Sequence, residues 1–339
     1  MSSRLKDVAA RAGVSVRTVS NVVSGSGSVA AETRQRVQEA IDEMGYRPNL
    51  AARSLRAGRT GIIGLAIPEL HSPYFGELAG LLVEEAQRRS WTVVIDQTRG
   101  DADAERRLLT RSGGRVVDGL IISPWALDPA ELTELAATAA PAVPLVLLGE
   151  RSPRGALDRV AVDNVAAADE ATTHLVRIGR RRIAAIGLQP HLQNGTAQQR
   201  AQGYHQALER AGLPRPSDAL QRTVAALHRA DGARAMTELL DGPELPDAVF
   251  AFSDELALGA LHMAHERGLR VPEDIAIVGF DDIEDGRYSH PPLTTIAPDK
   301  RQIALRSLQC LADRIYSPDN AVPAQDLTVP HRLVVRGTA

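Results

Sequence analysis

Cysteine is almost absent: Cys310 is the single one in 339 residues. No intrachain disulfide can form, and a reducing compartment is the natural setting. Long apolar runs are missing as well. No stretch of eighteen apolar residues is present to span a bilayer. The apolar segment of a secretory leader is missing after Met1, where Leu5 already opens an amphipathic pattern. The expectation is a protein that is neither secreted nor membrane-spanning. Catalytic signatures are scarce too. The glycine-rich GSGSVA (25–30) follows a helical pattern rather than a strand, and it lacks the lysine of a phosphate-binding loop. There is no nucleophile elbow and no paired-carboxylate motif. His262 and His265 sit three apart on a predicted surface helix, without the partners a metal needs. No enzyme activity, cofactor or metal is expected.

Net charge is small, −3, but unevenly spread. Residues 1–60 hold ten Lys/Arg against five Asp/Glu, a net of +5, which leaves −8 for the remainder. A basic head on an acidic body is the footprint of a small nucleic-acid-binding module joined to a ligand domain. The 44% hydrophobic content is enough for substantial cores, and the length suggests two to three domains.

What is present is most specific at LKDVAARAGVSVRTVSNVV, Leu5 to Val23. Leu5, Val8, Ala9 and Ala12 recur at helical spacing, so a first helix has one buried face. Gly13 supplies a turn, since glycine takes positive φ without steric cost, and Ser15 can cap a second helix. Along that helix Val19, Val22 and Val23 share one side, while Val16, Arg17 and Asn21 point elsewhere. An ordinary helical hairpin has the same periodicity. The outward residues favour a helix-turn-helix, whose second helix enters the DNA major groove. Arg17 can pair with guanine O6 and N7, Asn21 with adenine N6 and N7, and Val16 can touch a thymine methyl.

A third helix is expected over Thr33–Met44, with Val37, Ala40, Ile41 and Met44 on its core face. Asn49 as N-cap and Gly58 as stop bracket a helix over Leu50–Ala57. So short a helix is marginal alone in water.

From Thr60 onward short apolar runs alternate with helical segments. IIGLAI (62–67), TVVID (92–96), GLIIS (119–123), PLVLLG (144–149), RIAAIG (182–187), AVFAF (248–252) and IAIVGF (275–280) read as buried strands. Amphipathic stretches separate them, including Phe75–Arg89, Pro129–Ala140, Ala166–Ile178, Ala197–Ala211 and Asp254–Arg267. Continuous apolar strands alternating with helices imply parallel sheets covered on both faces. The number of strands implies two lobes, with a ligand cleft between them at the carboxyl ends of the strands.

The segment GYRPNLAARSLRAGRTGIIGL (45–65), following the helix-turn-helix, resembles the headpiece and hinge of the LacI/GalR family of bacterial transcription regulators. The likeness continues through SPYFGEL, RVVDGLIIS, AQQRAQGYHQAL, FSDELALGAL, VPEDIAIVGFDD and PPLTTI, and covers the chain nearly end to end. It implies a small all-α helix-turn-helix headpiece (1–48), a hinge helix (49–59) and an α/β two-lobed, periplasmic-binding-protein-like domain (60–339) with two parallel doubly wound sheets. One lobe would comprise about 60–161 and 294–322, the other about 162–293 and 323–339. Leu55 would be the apolar wedge of the hinge helix in the minor groove, as such wedges unstack a base step. DNA-backbone contacts would fall to Ser15, Thr18, Thr33, Arg53 and Arg56. The small-molecule effector would meet Tyr74, Phe75, Ser123, Trp125, Arg200, Asp254 and Asp281.

Two departures stand out. Ala30 occupies the N-cap position of the third helix, where members often carry serine or threonine. Gly149 followed by Glu150 stands where some sugar-responsive members place an aspartate. Taken together, the resemblance implies a repressor that binds near-palindromic double-stranded operator DNA as a homodimer. It would lack the extra tetramerising helix of some relatives and sit in the bacterial cytoplasm, nucleoid-associated when bound to DNA. A sugar or glycoside is the first choice of effector, and a nucleobase or other metabolite the second. The alternative is a cytosolic sugar-binding protein or sugar-processing enzyme on the same scaffold.

Overall fold

The computed structural model describes residues 5–24, 27–46, 59–111, 117–138, 143–151, 155–190, 195–317 and 323–339. The chain divides into two compact units, Met1–Gly61 and Ile62–Ala339.

Among the described residues the first unit contains three helices, α1 (Leu5–Ala12), α2 (Val16–Ser24) and α3 (Ala31–Glu43). Gly13 takes φ +66° at the start of the three-residue connection between α1 and α2. Ser15 Oγ then accepts the Thr18 N–H at 3.1 Å, the expected side-chain cap of a helix that starts without backbone partners. Val8, Ala9, Ala12, Val19, Val37 and Ala40 form the core, with Val22, Val23, Ile41 and Met44 packed around it. Val8, Val19 and Val37 are fully buried, each contributing about 1.5–3 kcal/mol of hydrophobic stabilisation. At Ala30 the third helix opens with no side-chain cap bond, as its sequence requires. The expected hinge helix, with Asn49, Arg53, Leu55, Arg56 and Gly58, lies outside the described residues.

Among the described residues the second unit has two six-stranded sheets. The first has the order β11-β5-β4-β3-β1-β2, from β1 (Ile62–Ile67), β2 (Thr92–Gln97), β3 (Gly119–Ile122), β4 (Leu145–Leu148), β5 (Asp158–Val162) and β11 (Asp326–Val329). All its pairings are parallel. The second has the order β12-β10-β9-β8-β6-β7, from β6 (Ile183–Leu188), β7 (Gln221–Thr223), β8 (Ala248–Ala251), β9 (Ala276–Phe280), β10 (Thr294–Pro298) and β12 (His331–Val334). Here the expectation of a wholly parallel sheet needs correction: the edge strand β12 runs antiparallel to β10.

The helices are α4 (Pro73–Arg88), α5 (Ala102–Arg111), α6 (Pro129–Thr138), α7 (Asn164–Arg177), α8 (Gly195–Arg210), α9 (Arg229–Leu240), α10 (Asp254–Glu266), α11 (Glu284–Tyr288) and α12 (Lys300–Tyr316). The chain crosses between sheets three times: after β5, after β10 and after β11. The lobe boundaries read from the sequence are therefore shifted. Thr294–Pro298 pairs in the second sheet, not the first, and Asp326–Val329 pairs in the first, not the second. Helix α12 returns the chain to the first lobe by burying Ile303, Ala304, Leu308, Cys310 and Leu311 there.

A second correction concerns TVVID. This run is an edge strand rather than a buried one, and Val94 and Ile95 are exposed. The other six apolar runs lie in central or near-central strands. Close helix pairing supports the second lobe. A Cβ on Gly203 of α8 would lie 2.1 Å from the Val165 carbonyl of α7, so only glycine lets those backbones meet.

Candidate functional site

Two groups of residues stand out, one in each unit. On α2 the buried Val19 anchors the helix, and Val16 is 41% exposed on the opposite side. Arg17 is exposed beside it. An apolar residue and a guanidinium thus face outward from the first turn of a helix whose N-terminus is held by Ser15. Thr18, Thr33 and Asn21 are half-buried. The Thr18 hydroxyl lies 2.9 Å from Ser15 Oγ. The Asn21 carboxamide folds against Gly27, where an added Cβ would meet its Nδ2 at 2.9 Å. Asn21 therefore also packs on Gly27.

In the second unit a cleft opens at the carboxyl ends of both sheets. Tyr74, Phe75, Ser123, Trp125, Arg200 and Asp281 line it, six of the seven positions expected for an effector. Phe75 packs edge-on to Tyr74 at 5.2 Å and to Trp125 at 6.0 Å, giving one wall an aromatic surface. The loop carrying Trp125 is pinned from both sides. The buried Glu105 carboxylate accepts N–H bonds from Trp125 at 2.8 Å and Leu127 at 3.0 Å, and Arg151 donates to the Trp125 carbonyl at 2.7 Å.

Arg200 organises the opposite wall. Its Nε donates to Asn164 Oδ1 at 2.7 Å and its Nη1 to the Phe252 carbonyl. The guanidinium lies 3.5 Å above the Phe280 ring and 3.8 Å from Asp281 Oδ1. Burial pushes the Asp281 carboxyl up to about 8, an effect that Arg200 only partly offsets. Burial lowers Arg200 in turn, with Asp281 opposing. Burial first, then the Asp281 and Glu150 carboxylates, raise the Tyr74 phenol, so it stays neutral as a donor and acceptor. Asp281 has φ +118°, a strained backbone for a non-glycine residue, and such strain is often stored where a side chain must be aimed.

Asp254 is the exception. It is fully buried and does not face the cleft. Its Oδ1 accepts the Thr295 hydroxyl at 2.5 Å, and its Oδ2 accepts the Ile283 N–H at 2.9 Å. It ties α10 to β10 and to the loop after β9. It does not cap α10 either, because Ser253 does that, accepting the Leu256 N–H at 3.2 Å. The next residue, Glu255, lines the cleft instead. One residue along a helix rotates the side chain by about 100°, which is the whole difference.

Burial raises Asp254 to about 6, its two donors only partly offsetting the effect. A carboxyl raised on folding contributes stability below its unfolded value and loses it as pH rises through the folded value. The Asp254→Asn variant should therefore gain thermal stability relative to the parent chain between pH 4 and pH 7. A difference in melting temperature that stays constant across this range would refute the assignment.

Glu150, singled out in the sequence beside Gly149, lines the cleft; it accepts from Asn164 Nδ2 and from Thr196 Oγ1, both at 2.5 Å, and so joins the loop after β4 to α7 and α8. Sequence reasoning missed two further cleft residues. Glu69 and His228 also line the cleft. Nothing local marks them, since they come from loops far apart in the chain.

Residues 4–49 match the family profile described as bacterial regulatory proteins, lacI family, and residues 172–339 match the periplasmic binding protein-like domain. The chain is 33% identical over 336 residues to the HTH-type transcriptional repressor PurR of Haemophilus influenzae, covering 98% of this chain and 97% of that protein. Among solved structures it is similar to the lac repressor dimer bound to operator and the anti-inducer ONPF. That match has 29% identity and a TM-score of 0.86, over 100% of this chain and 99% of the other. It is also similar to the transcriptional regulator CelR in complex with cellobiose, at 31% identity and a TM-score of 0.73, over 99% and 100% of the two chains.

Proposed function

Because this chain belongs to the lacI family of bacterial regulatory proteins, we propose that it is a repressor whose operator affinity is set by a sugar or glycoside held in the interlobe cleft. It is a sequence-specific DNA-binding transcriptional regulator. The single observation that carries the sugar reading is Glu150. Gly149 offers no side chain, but Glu150 reaches the cleft and stands with Asn164, Thr196 and Arg200 as a hydrogen-bonded group opposite the aromatic wall. Alternating acceptors and donors suit vicinal hydroxyls, and a flat aromatic face suits the apolar side of a sugar ring. The similarity to CelR, solved with cellobiose, supports the same class. A nucleobase is the second reading, favoured by the same aromatic wall.

On the DNA, Val16, Arg17 and Asn21 read base edges in the major groove, and Ser15, Thr18 and Thr33 approach the backbone. Arg53 and Arg56 flank Leu55 as the minor-groove wedge. A homodimer places two such headpieces on a near-palindromic site, as two-fold symmetry requires. The exposed Val94 and Ile95 on edge strand β2 supply an apolar edge that another protomer would cover. Among the described residues no helix is long and apolar enough to cross a membrane, and we place the protein in the bacterial cytoplasm. When the effector closes the lobes, the two states differ in how they present the hinge helices, which couples ligand to operator.

Two measurements test this. The full chain is used to select DNA from a random pool, and a near-palindrome should emerge. It is then melted against sugars, glycosides and nucleobases. A ligand at a hundred times its dissociation constant adds about 2.7 kcal/mol, a shift of several degrees that should also change affinity for the selected DNA. No common DNA motif would defeat the regulator reading. A nucleobase hit with no sugar hit would replace the effector class.

A further inference from the structure

At the lip of the cleft, Glu69 and His71 from the loop after β1 meet His228 from the connection between β7 and α9. Each offers one ligand atom, and the three atoms lie within 4.8 Å of one another. Glu69 Oε2 is 3.4 Å from His228 Nε2 and 4.0 Å from His71 Nε2. The geometry points to a binding site for a divalent transition metal of the zinc class, formed by Glu69, His71 and His228 and spanning the two lobes.

Three considerations support it. Two imidazoles and a carboxylate are a borderline donor set that suits zinc, and three protein ligands with one open position is a known coordination for it. At metal–ligand lengths near 2.0–2.1 Å, tetrahedral neighbours lie about 3.4 Å apart, which the Glu69–His228 pair already matches. His71, 68% exposed, is the side chain with room to close the remaining gap. Lastly, the two ring nitrogens of His228 face different carboxylates. Its Nε2 lies toward Glu69 and its Nδ1 lies 3.8 Å from Glu255 Oε2, a distance that a small shift of the Glu255 side chain would shorten to the hydrogen bond by which outer-shell carboxylates hold metal histidines. Glu255 is itself flanked by Arg229, 3.7 Å from its other oxygen, and Arg229 also reaches Asp285 at 3.0 Å.

Two ligands belong to one lobe and the third to the other, so metal binding favours the arrangement that brings the lips together. By linkage, metal and cleft ligand then tighten each other's binding by equal factors. The inference goes beyond the regulator reading, and its metal-binding part holds whichever effector class the cleft accepts.

The test uses the full chain, stripped with a chelator and titrated with Co²⁺ as a spectroscopic stand-in for Zn²⁺. The expected result is a visible ligand-field band of a low-coordinate cobalt site that Zn²⁺ bleaches. His71→Ala and His228→Ala should each weaken Co²⁺ binding at least tenfold, the lower end of what even an outer-shell loss costs. Their melting curves in metal-free buffer should match the parent. His262→Ala, altering an exposed histidine on α10, should leave the band unchanged. The proposal is overturned if no band forms at millimolar Co²⁺, if the band survives both cleft substitutions, or if His262→Ala removes it.

Discussion

Arg200→Ala should abolish the response to effector while leaving the folded chain able to bind its operator. The guanidinium holds Asn164, the Phe252 carbonyl, the Phe280 ring and Asp281 in one arrangement. Its loss removes a cation from the cleft and frees the Asn164 amide that helps position Glu150. Truncating one partner of a buried charge pair costs about 2–5 kcal/mol of binding, a loss of roughly thirtyfold to a few thousandfold in ligand affinity. Global stability should fall as well, by about 3–5 kcal/mol, because removing one partner of a buried pair leaves Asp281 uncompensated, so binding is measured well below the melting range of the variant. Arg200→Lys should rescue little, since an ammonium cannot serve Asn164 and Phe252 with a planar fork. Calorimetric titration of the ligand, alongside operator binding with and without it, checks both halves. An affinity within threefold of the parent would remove Arg200 from the effector site.

That prediction rests on contacts of mixed legibility in the sequence. The α1–α2 turn was fully readable, because Gly13, Ser15 and the spacing of Val19 act within a few residues of one another. The central strands were readable for a similar reason. IIGLAI, GLIIS and IAIVGF are buried on both faces, and a continuous apolar run records that directly.

Edges were harder. Thr92–Gln97 carries the same kind of run yet lies at a sheet edge with Val94 and Ile95 exposed. Composition cannot distinguish an edge covered by another chain from an interior. Asp158–Val162 and His331–Val334 are short and mixed in polarity, and their places depend on partners in distant parts of the chain. The lobe boundaries moved for that reason. Within the cleft, Arg200 and Asp281 followed from motif position, whereas Glu69 and His228 meet only because the two lobes face each other. Glu255 takes the place in the cleft expected of Asp254, through the rotation of a single helical step.

The second large effect belongs to the headpiece. Arg17→Ala should weaken binding to the selected operator while barely changing binding to scrambled DNA. A bidentate arginine–guanine pair is worth about 1–3 kcal/mol of discrimination. Two half-sites in a two-fold dimer double that to about 2–6 kcal/mol if the contacts act independently. The fold should be unaffected, because Arg17 is exposed and the core of the unit is made by Val8, Val19 and Val37. Asn21→Ala should behave differently. Its carboxamide also packs on Gly27, so part of its loss should appear as lower headpiece stability and affect both DNAs alike. Salt dependence separates base readout from phosphate contact. Removing a phosphate contact lowers the slope of log affinity against log salt by about one, whereas Arg17→Ala should leave that slope nearly intact. Fluorescence anisotropy on operator and scrambled duplexes over a range of salt concentrations distinguishes these cases. An equal loss on both DNAs with a reduced slope would move Arg17 from the bases to the backbone and leave Val16 to contact the base edges.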